Sequence, residues 1–294
     1  MKKLLALTLC LGLILSLAAC GQADPAATEE TVMNTIPEPT IEIVAFEPIV
    51  LVDNEILSLT IVDHANGEDN NVTTIRFENK SDKTLSLNLQ DLSVNDLMFP
   101  NAGIIQTLAP QESNEDVIFL TWDELLAKGI QEVTALEFKI CAYDADNYAE
   151  DALFEDIFSF YPNGEEAVTE YVRPTTDNEF VVTGGDDYSM IILATGTDEE
   201  GNFFATVYLE NNTETNLSFT VEEGKINGSD CDPFWIYNVS AGKKAITSII
   251  WEASALEKVG ASTVTTVSLE LRASDADNWR ASAIWEGSIE FNPF

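Results

Sequence analysis

Residues 144–162 read "DADNYAEDALFEDIFSFYP" and residues 275–293 read "DADNWRASAIWEGSIEFNP", so the chain contains one segment twice. Eight of these nineteen positions are identical, and three more exchange one aromatic or aliphatic side chain for another. A second pair of segments, "ENKSDKTLSL" at 78–87 and "ENNTETNLSF" at 210–219, has nearly the same offset. Self-similarity at a fixed spacing indicates tandem copies of one structural unit. The sequence therefore predicts two modules in one chain.

The repeat also sets the predicted domain boundaries. The first module covers residues 41–162 and the second covers 172–294, with a linker at 163–171. Between the matching blocks, "VIFLTWDELLAKG" parallels "ITSIIWEASALEKVG", with a small insertion in the second copy.

Each module alternates apolar and polar residues with a period of two, which is typical of half-buried strands. In the first module, for example, Thr73, Ile75 and Phe77 are expected on one side of a strand. Segments with this pattern predict about seven strands per module. This predicts an all-β fold of two tandem antiparallel β-sandwiches. One short helix is expected after Thr121, which stands at capping-box spacing from Glu124.

The amino terminus begins with a basic pair and a long apolar stretch. Lys2 and Lys3 precede 16 apolar residues, which are short for a membrane-spanning helix and suit a secretory signal. The stretch ends in "LAAC", which resembles the lipobox of bacterial lipoproteins, and the resemblance implies cleavage of residues 1–19 and lipidation of Cys20. Residues 20–40 hold that cysteine and a small, acidic, proline-containing segment that predicts a disordered tether. We expect the protein on the extracytoplasmic face of the cell membrane, with the lipid on Cys20 as its membrane partner.

The charge of the chain excludes one class of partner. Its formal net charge is −37, and removal of the signal with its two lysines changes this to −39. A phosphate backbone demands clustered Lys and Arg, so we expect no nucleic-acid partner. Solubility and mutual repulsion are the simplest reasons for so acidic a surface, and cation binding is the alternative.

The second module contains the segments "INGSDCDPFW", "SAGKKA" and "LRASDADNW". Through these segments the modules resemble immunoglobulin-like sandwiches of clostridia-type surface lipoproteins, a family without an assigned chemistry. In place of "SAGKKA" the first module reads "APQESN" at 109–114. The resemblance implies a fold and a location, and it implies no catalytic residues or cofactor.

Motifs of catalysis are missing from the sequence. There is one histidine, His64, and no "G-x-S-x-G" elbow accompanies it, so a Ser-His-Asp hydrolase is not indicated. No phosphate loop and no dinucleotide-binding glycine pattern occur either. Many carboxylates are present, and two of them about 5–10 Å apart in a cleft could support glycoside hydrolysis. Cys141 and Cys231 lie in different modules, and their pairing stays open.

The "DADN" segments are weak candidates for metal ligands, through Asp144, Asp146, Asp275 and Asp277. Calcium needs six to eight oxygens, and an EF-hand loop has a glycine at position six, where this chain has Ala149 or Arg280. Asp and Asn hydrogen-bond their own backbone, so we predict turns between two strands and no metal. The aromatic that follows each segment is expected to cover one end of the core.

A group of aromatics is the candidate ligand site. "DPFWIY" at 232–237 holds Phe234, Trp235 and Tyr237, which on a surface would stack on sugar rings or receive a peptide, and in a core would simply pack. We predict a non-enzymatic, cofactor-free binding protein whose partner is a surface protein, a peptide or a glycan. A carboxylate-based surface glycoside hydrolase and an acidic cation-binding surface protein are the alternatives.

Overall fold

The computed structural model describes residues 46–278 and 280–294. The predicted signal peptide, lipidated cysteine and tether lie outside the described residues, and so does Trp279. Strands make up most of the described chain, and two short helices and one 3₁₀ turn, Glu165–Ala167, interrupt them. The predicted all-β class is confirmed.

The described part of the first module contains nine strands and one helix. Their bounds are β1 Ile49–Asp53, β2 Leu57–Asn66, β3 Asn70–Asn79, β4 Leu85–Val94, β5 Leu97–Met98, β6 Ile104–Leu108, β7 Ser113–Thr121, α1 Trp122–Ala127, β8 Leu136–Asp144 and β9 Phe154–Phe160.

The second module repeats this order element for element. Its bounds are β10 Phe180–Gly184, β11 Tyr188–Thr197, β12 Phe203–Asn211, β13 Leu217–Ile226, β14 Ser229–Asp230, β15 Ile236–Val239, β16 Lys244–Trp251, α2 Ala253–Lys258, β17 Val267–Asp275 and β18 Trp285–Phe291. The prediction of about seven strands per module was too low by two, because β5, β6, β14 and β15 have only two to five residues each, too few to show a period of two.

Three sheets form two β-sandwiches. The first sandwich places the sheet β1-β2-β3-β7 against β4, β6, β8 and β9. The second places β10-β11-β12-β16 against β13, β15, β17 and β18. Neighbouring strands are antiparallel except for one parallel contact between β5 and β16, which joins the central parts into one nine-stranded sheet. One continuous sheet therefore belongs to both sandwiches.

Two hydrophobic cores occupy the two sandwiches. Phe77 and Phe138 are about 1% exposed in the first core, and Phe219 and Trp251 are equally buried in the second. The predicted alternation holds on β3, where Thr73, Ile75 and Phe77 are buried and the intervening side chains face outward. Both cores thus consist mainly of the residues of one module each.

The cores also exchange side chains across the junction. Leu193 and Tyr208 belong to the second module, yet they pack on the first core. Met98 belongs to the first module and packs in the second core. Tyr171 lies in the predicted linker, is buried in the first core and donates a hydrogen bond to the Lys128 carbonyl at 2.6 Å. The linker is therefore packed against the first sandwich along part of its length.

A buried asparagine marks the same corner in each module. Asn79 and Asn211 are both 0% exposed. The amide group of Asn79 donates to the carbonyls of Lys83, Leu108 and Ala109 at 2.7 to 3.1 Å. That of Asn211 donates to three carbonyls at the equivalent positions, Thr215, Val239 and Ser240. The duplication thus extends to individual hydrogen bonds.

The "SAGKKA" segment docks the second sandwich onto the first. Lys243 bridges Asp96 at 2.8 Å and Glu137 at 2.9 Å, and its side chain is only 12% exposed. Next to it, Lys244 pairs with Leu97 in β5. In the second module the strand equivalent to β5 is β14, Ser229–Asp230, which is polar and exposed. The first module has no such lysine pair at 109–114, so only the second module supplies these docking contacts.

Candidate functional site

The predicted aromatic group is divided by the alternation of the chain around β15. Phe234 is 94% exposed, whereas Trp235 is 6% exposed and packs in the second core. Tyr237 is half-buried, and burial raises its pKa to about 12. The three side chains therefore do not form one binding face, and only Tyr237 lines a large groove.

This groove, of about 480 Å³, lies between the two sandwiches. The first sandwich contributes the loop at 99–102, Phe119 at the end of β7, and residues of α1 and its C-cap. The second contributes Thr206, Tyr237 and residues 246–248 of β16. Its volume falls within the roughly 300–1,000 Å³ that is usual for ligand sites. We name it the inter-sandwich groove.

Aromatic and hydroxyl groups supply its chemistry. Phe119 is 53% exposed, and Tyr237 approaches from the other sandwich. Thr206, Thr247 and Ser248 bring hydroxyl groups that can donate or accept a hydrogen bond. A groove with this lining can cover an apolar group and orient it through a few polar contacts.

The side chain of Lys128 places a cation in the wall of the inter-sandwich groove. Lys128 donates from Nζ to the Ile246 carbonyl at 3.1 Å, and its ammonium lies 5.3 Å from the centre of the Phe99 ring. Burial lowers the pKa of Lys128, while the carboxylate of Glu124 acts in the opposite direction. The lysine therefore connects the first sandwich to the backbone of β16.

The position of α1 follows from local sequence chemistry. The Thr121 hydroxyl accepts a hydrogen bond from the Glu124 amide at 3.2 Å, which confirms the predicted cap. Gly129 has a φ of +85° just after the helix, a conformation that suits glycine. A Cβ there would also lie 2.9 Å from Pro174, so the helix end contacts the segment after the linker closely.

The "DADN" segments form turns between β8 and β9 and between β17 and β18. Asp144 accepts from the Asp146 amide at 3.0 Å, and Asp275 accepts from the Asp277 amide at 2.9 Å. These are the predicted self-bonded turns. Asp144 also pairs with Lys83 at 2.8 Å, and the lysine together with the Asp146 amide lowers the pKa of Asp144.

Two further expectations about these segments have different outcomes. Glu155 and Glu286 stand at position twelve counted from Asp144 and Asp275, where an EF-hand has its acid. The alternation of the apolar residues around them predicts that both face outward, and both do. Tyr148 was expected to cover the end of the core, but it is 59% exposed and contacts Tyr143 instead. Over residues 46–278 and 280–294, no group of three or more His, Cys, Asp and Glu side chains is arranged to hold a metal ion.

Among the described residues, a carboxylate with a raised pKa, that of Asp91, lies at the junction of the modules. Burial raises the pKa of Asp91, with Lys139 acting in the opposite direction. The adjoining cavity measures about 120 Å³ and is also lined by Glu137 and Lys243. It is smaller than the roughly 300 Å³ at which ligand pockets begin, so this carboxylate does not face a space that accepts a sugar ring.

A more open acidic cleft of about 610 Å³ lies on the second sandwich. Its carboxylates come from Glu222, Glu223, Glu270 and Glu286, and Arg272 lies among them. Carboxylates on an open surface are well solvated, and these four belong to the acidic exterior of the second sandwich.

The histidine and the two thiols are packed into the sandwiches. His64 contacts the Thr73 hydroxyl through Nδ1 at 2.9 Å, and burial lowers its pKa, opposed by Asp63. Cys141 and Cys231 are free and buried, which answers the open question of their pairing. Burial is the main cause that raises the pKa of both thiols.

Across residues 46–278 and 280–294, no helix is long and apolar enough to cross a membrane; α1 and α2 have six residues each.

Comparison with known proteins identifies no family. No protein-family model matches the chain, and no curated protein matches it. Among solved structures it is similar to red sea bream transglutaminase, with 10% identity, covering 85% of this chain and 31% of that one, at a TM-score of 0.24. It is also similar to the Amycolatopsis orientalis exo-chitosanase CsxA, with 9% identity, covering 80% of this chain and 26% of that one, at a TM-score of 0.24.

A β-D-mannosidase from Dictyoglomus thermophilum has 11% identity, with 76% of this chain and 22% of that chain covered, at a TM-score of 0.24. The chain spans less than a third of the length of these three proteins. Similarity at this level does not indicate an activity or a ligand.

Proposed function

We propose that this protein is a lipid-anchored binding protein of the extracytoplasmic membrane face, held through Cys20, and that its ligand site is the inter-sandwich groove. The partner is a surface protein, a peptide or a glycan. The proposed role is non-enzymatic and requires no cofactor.

The anchoring part of the proposal is supported by the amino-terminal sequence. A basic start, an apolar stretch of 16 residues and the "LAAC" box follow one another in the order that lipoprotein processing needs. Two acyl chains on Cys20 would be sufficient for stable membrane residence, where one chain is marginal.

The binding part rests on one observation, the exposed Phe119 ring in a groove that Tyr237 enters from the other sandwich. A large aromatic that stays half-exposed inside a concave site supplies apolar contact area for a ligand. Contacts between the two sandwiches fix the position of the groove's walls: Lys128 bonds to the Ile246 carbonyl in the wall itself, and Lys243 bridges Asp96 and Glu137 elsewhere at the junction.

Anchoring is tested by replacing the lipidated cysteine. We expect Cys20→Ser to accumulate as the precursor or to leave the membrane fraction, because serine has no thiol to acylate. Cys10→Ser is the matched control, since Cys10 lies inside the apolar stretch and should be processed normally. Normal processing and unchanged membrane association of Cys20→Ser would contradict the lipoprotein assignment.

The location of the ligand site is tested with two phenylalanines. The soluble protein from residue 21 onward is screened against immobilised random peptides and cell-wall oligosaccharides, and Phe119→Ser is compared with Phe234→Ser. Phe234 is 94% exposed and does not line the groove. We expect binding to weaken at least about tenfold only in Phe119→Ser. Loss of binding only in Phe234→Ser would place the site on the aromatic segment instead.

A further inference from the structure

The edge of one strand faces into the inter-sandwich groove. Ile246, Thr247 and Ser248 are consecutive in β16, and all three line the groove. Side chains of consecutive strand residues point to opposite faces of a sheet, so three in a row cannot line a groove through one face. The groove therefore includes the backbone edge of β16. It also covers part of one face of the sheet, because Thr206 of β12, the cross-strand partner of Ser248, lines it as well.

The direction of the backbone groups on this edge follows from two hydrogen bonds. The Lys244 amide donates to the Asp96 carbonyl at 2.9 Å, and the Ile246 carbonyl accepts from Lys128 at 3.1 Å. Both partners belong to the first sandwich, so residues 244 and 246 direct their backbone groups away from β12. The pairing of β16 with β12 has no irregularity from Lys244 to Trp251.

Ser248 and Ile250 direct their backbone groups to the same side, because hydrogen-bonding direction alternates along an antiparallel strand. Beyond Lys244, the described strands pair β16 only with β12. The N–H and C=O groups of Ser248 thus belong to an unpaired strand edge in the groove that Phe119 and Tyr237 also line, and Ile250 continues this edge beyond the groove. Natural sheets usually cover or shorten such an edge, since it is a template for another chain.

We infer that the groove binds an extended polypeptide segment, which pairs as an additional strand with the edge of β16. This inference rests on the proposed function and specifies its ligand. An extended peptide presents donors and acceptors at the repeat of a strand, so it matches the edge at Ser248 and Ile250. Every second side chain of the peptide would then point toward the aromatic lining of the groove.

Charge narrows the class of peptide. The chain carries 51 acidic and 14 basic residues, so its field repels an acidic segment and attracts a basic one. The protein's own tether, "GQADPAATEETVMNTIPEPT" at 21–40, contains four acidic residues, no basic ones, and three prolines, which cannot donate to a strand edge. The occupant is therefore a neutral or basic extended segment of another protein.

The test uses decapeptides selected from a displayed random library on the soluble protein from residue 21 onward. Each selected peptide is synthesised three times: unmodified, N-methylated at odd positions, and N-methylated at even positions. Only one set of amides can face the edge of β16, so we expect one modified form to bind at least about tenfold more weakly and the other to retain binding. Phe119→Ser should weaken binding of the unmodified peptide, and Phe234→Ser should leave that binding unchanged.

The other outcomes are equally informative. If no peptide is enriched, or if both modified forms bind like the parent peptide, strand pairing is wrong. If oligosaccharides bind and lose affinity in Phe119→Ser, the groove remains the ligand site and only the peptide inference fails. Binding of a synthetic 21–40 peptide at the same site would show that the occupant is the protein's own tether and would overturn the assignment to another protein.

Discussion

Removal of the buried Asn79 side chain should destabilise the protein strongly, even though Asn79 lies at a corner and not in the centre of a core. Asn79 is 0% exposed, and its amide group donates to the carbonyls of Lys83, Leu108 and Ala109. Its carbonyl oxygen accepts from the amide and the hydroxyl of Ser81, at 2.9 and 2.7 Å. One side chain therefore connects the end of β3 with the turns on both sides of it.

The expected loss in the free energy of unfolding follows from the backbone groups that Asn79→Ala leaves without partners. A buried polar group that loses its partner costs about 1–3 kcal/mol. The Leu108 carbonyl bond is buried, whereas those of Lys83 and Ala109 are partly buried and water can replace part of the loss. We therefore expect the free energy of unfolding to fall by about 3 kcal/mol. If the two sandwiches unfold together, as one unit of about 250 residues, a loss of about 3 kcal/mol lowers the midpoint of thermal unfolding by roughly 6–12 °C.

Thermal unfolding followed by calorimetry or circular dichroism measures this effect. Asn114→Ala is the control, because Asn114 is exposed and makes one bond, to Gln106 at 3.1 Å. Its effect should stay within about 0.5 kcal/mol. Asn211→Ala should resemble Asn79→Ala, since it removes the equivalent bonds in the second module. Equal midpoints for Asn79→Ala and Asn114→Ala would refute the assignment of stability to these corners.

Three further predictions concern metal, pH and module independence. Isothermal titration with calcium should give no stoichiometric micromolar signal; a signal that Asp144→Asn and Asp275→Asn abolish would show a metal site. The pKa of His64 is lower in the folded protein than its ordinary value of 6.5, so its contribution to stability is present above pH 6.5 and is lost as pH falls through the folded-state pKa. Between pH 7 and pH 5, the midpoint of thermal unfolding should therefore fall less in His64→Gln than in the wild type. An equal fall in both proteins would contradict this. Fragments 41–162 and 172–294 should each show β-type circular dichroism and unfold cooperatively. Their unfolding midpoints should be lower than that of the intact chain, because each fragment loses side chains that the other module contributes to its core. Fragments that fold only when mixed would indicate one intertwined domain.

Much of the fold is readable from short stretches of sequence. The period of two around Ile75 predicts which side chains of β3 are buried, and the structure confirms it. The Thr121 cap and the Asp144 and Asp275 turns depend on bonds across two or three residues, so they too follow from local sequence. The strands that the pattern missed have only two to five residues, too few to show a period.

The candidate site, in contrast, could not be predicted from any single stretch. "DPFWIY" attracts attention because its aromatics are adjacent in sequence, but strand alternation sends Trp235 into the core and leaves Phe234 in solvent. Phe119 and Ser248 stand 129 positions apart, in an unremarkable context, and nothing in the sequence indicates that they border one groove.

By itself, the sequence determined the all-β class, the duplication and the local turns, because periodicity and capping act over a few neighbouring residues. Only the tertiary structure decided that Lys243 inserts between Asp96 and Glu137, that Lys128 reaches the Ile246 carbonyl, and that the edge of β16 is unpaired from Ser248 onward. These contacts join residues more than a hundred positions apart. Their formation depends on how two complete sandwiches dock, and no local pattern encodes that relation.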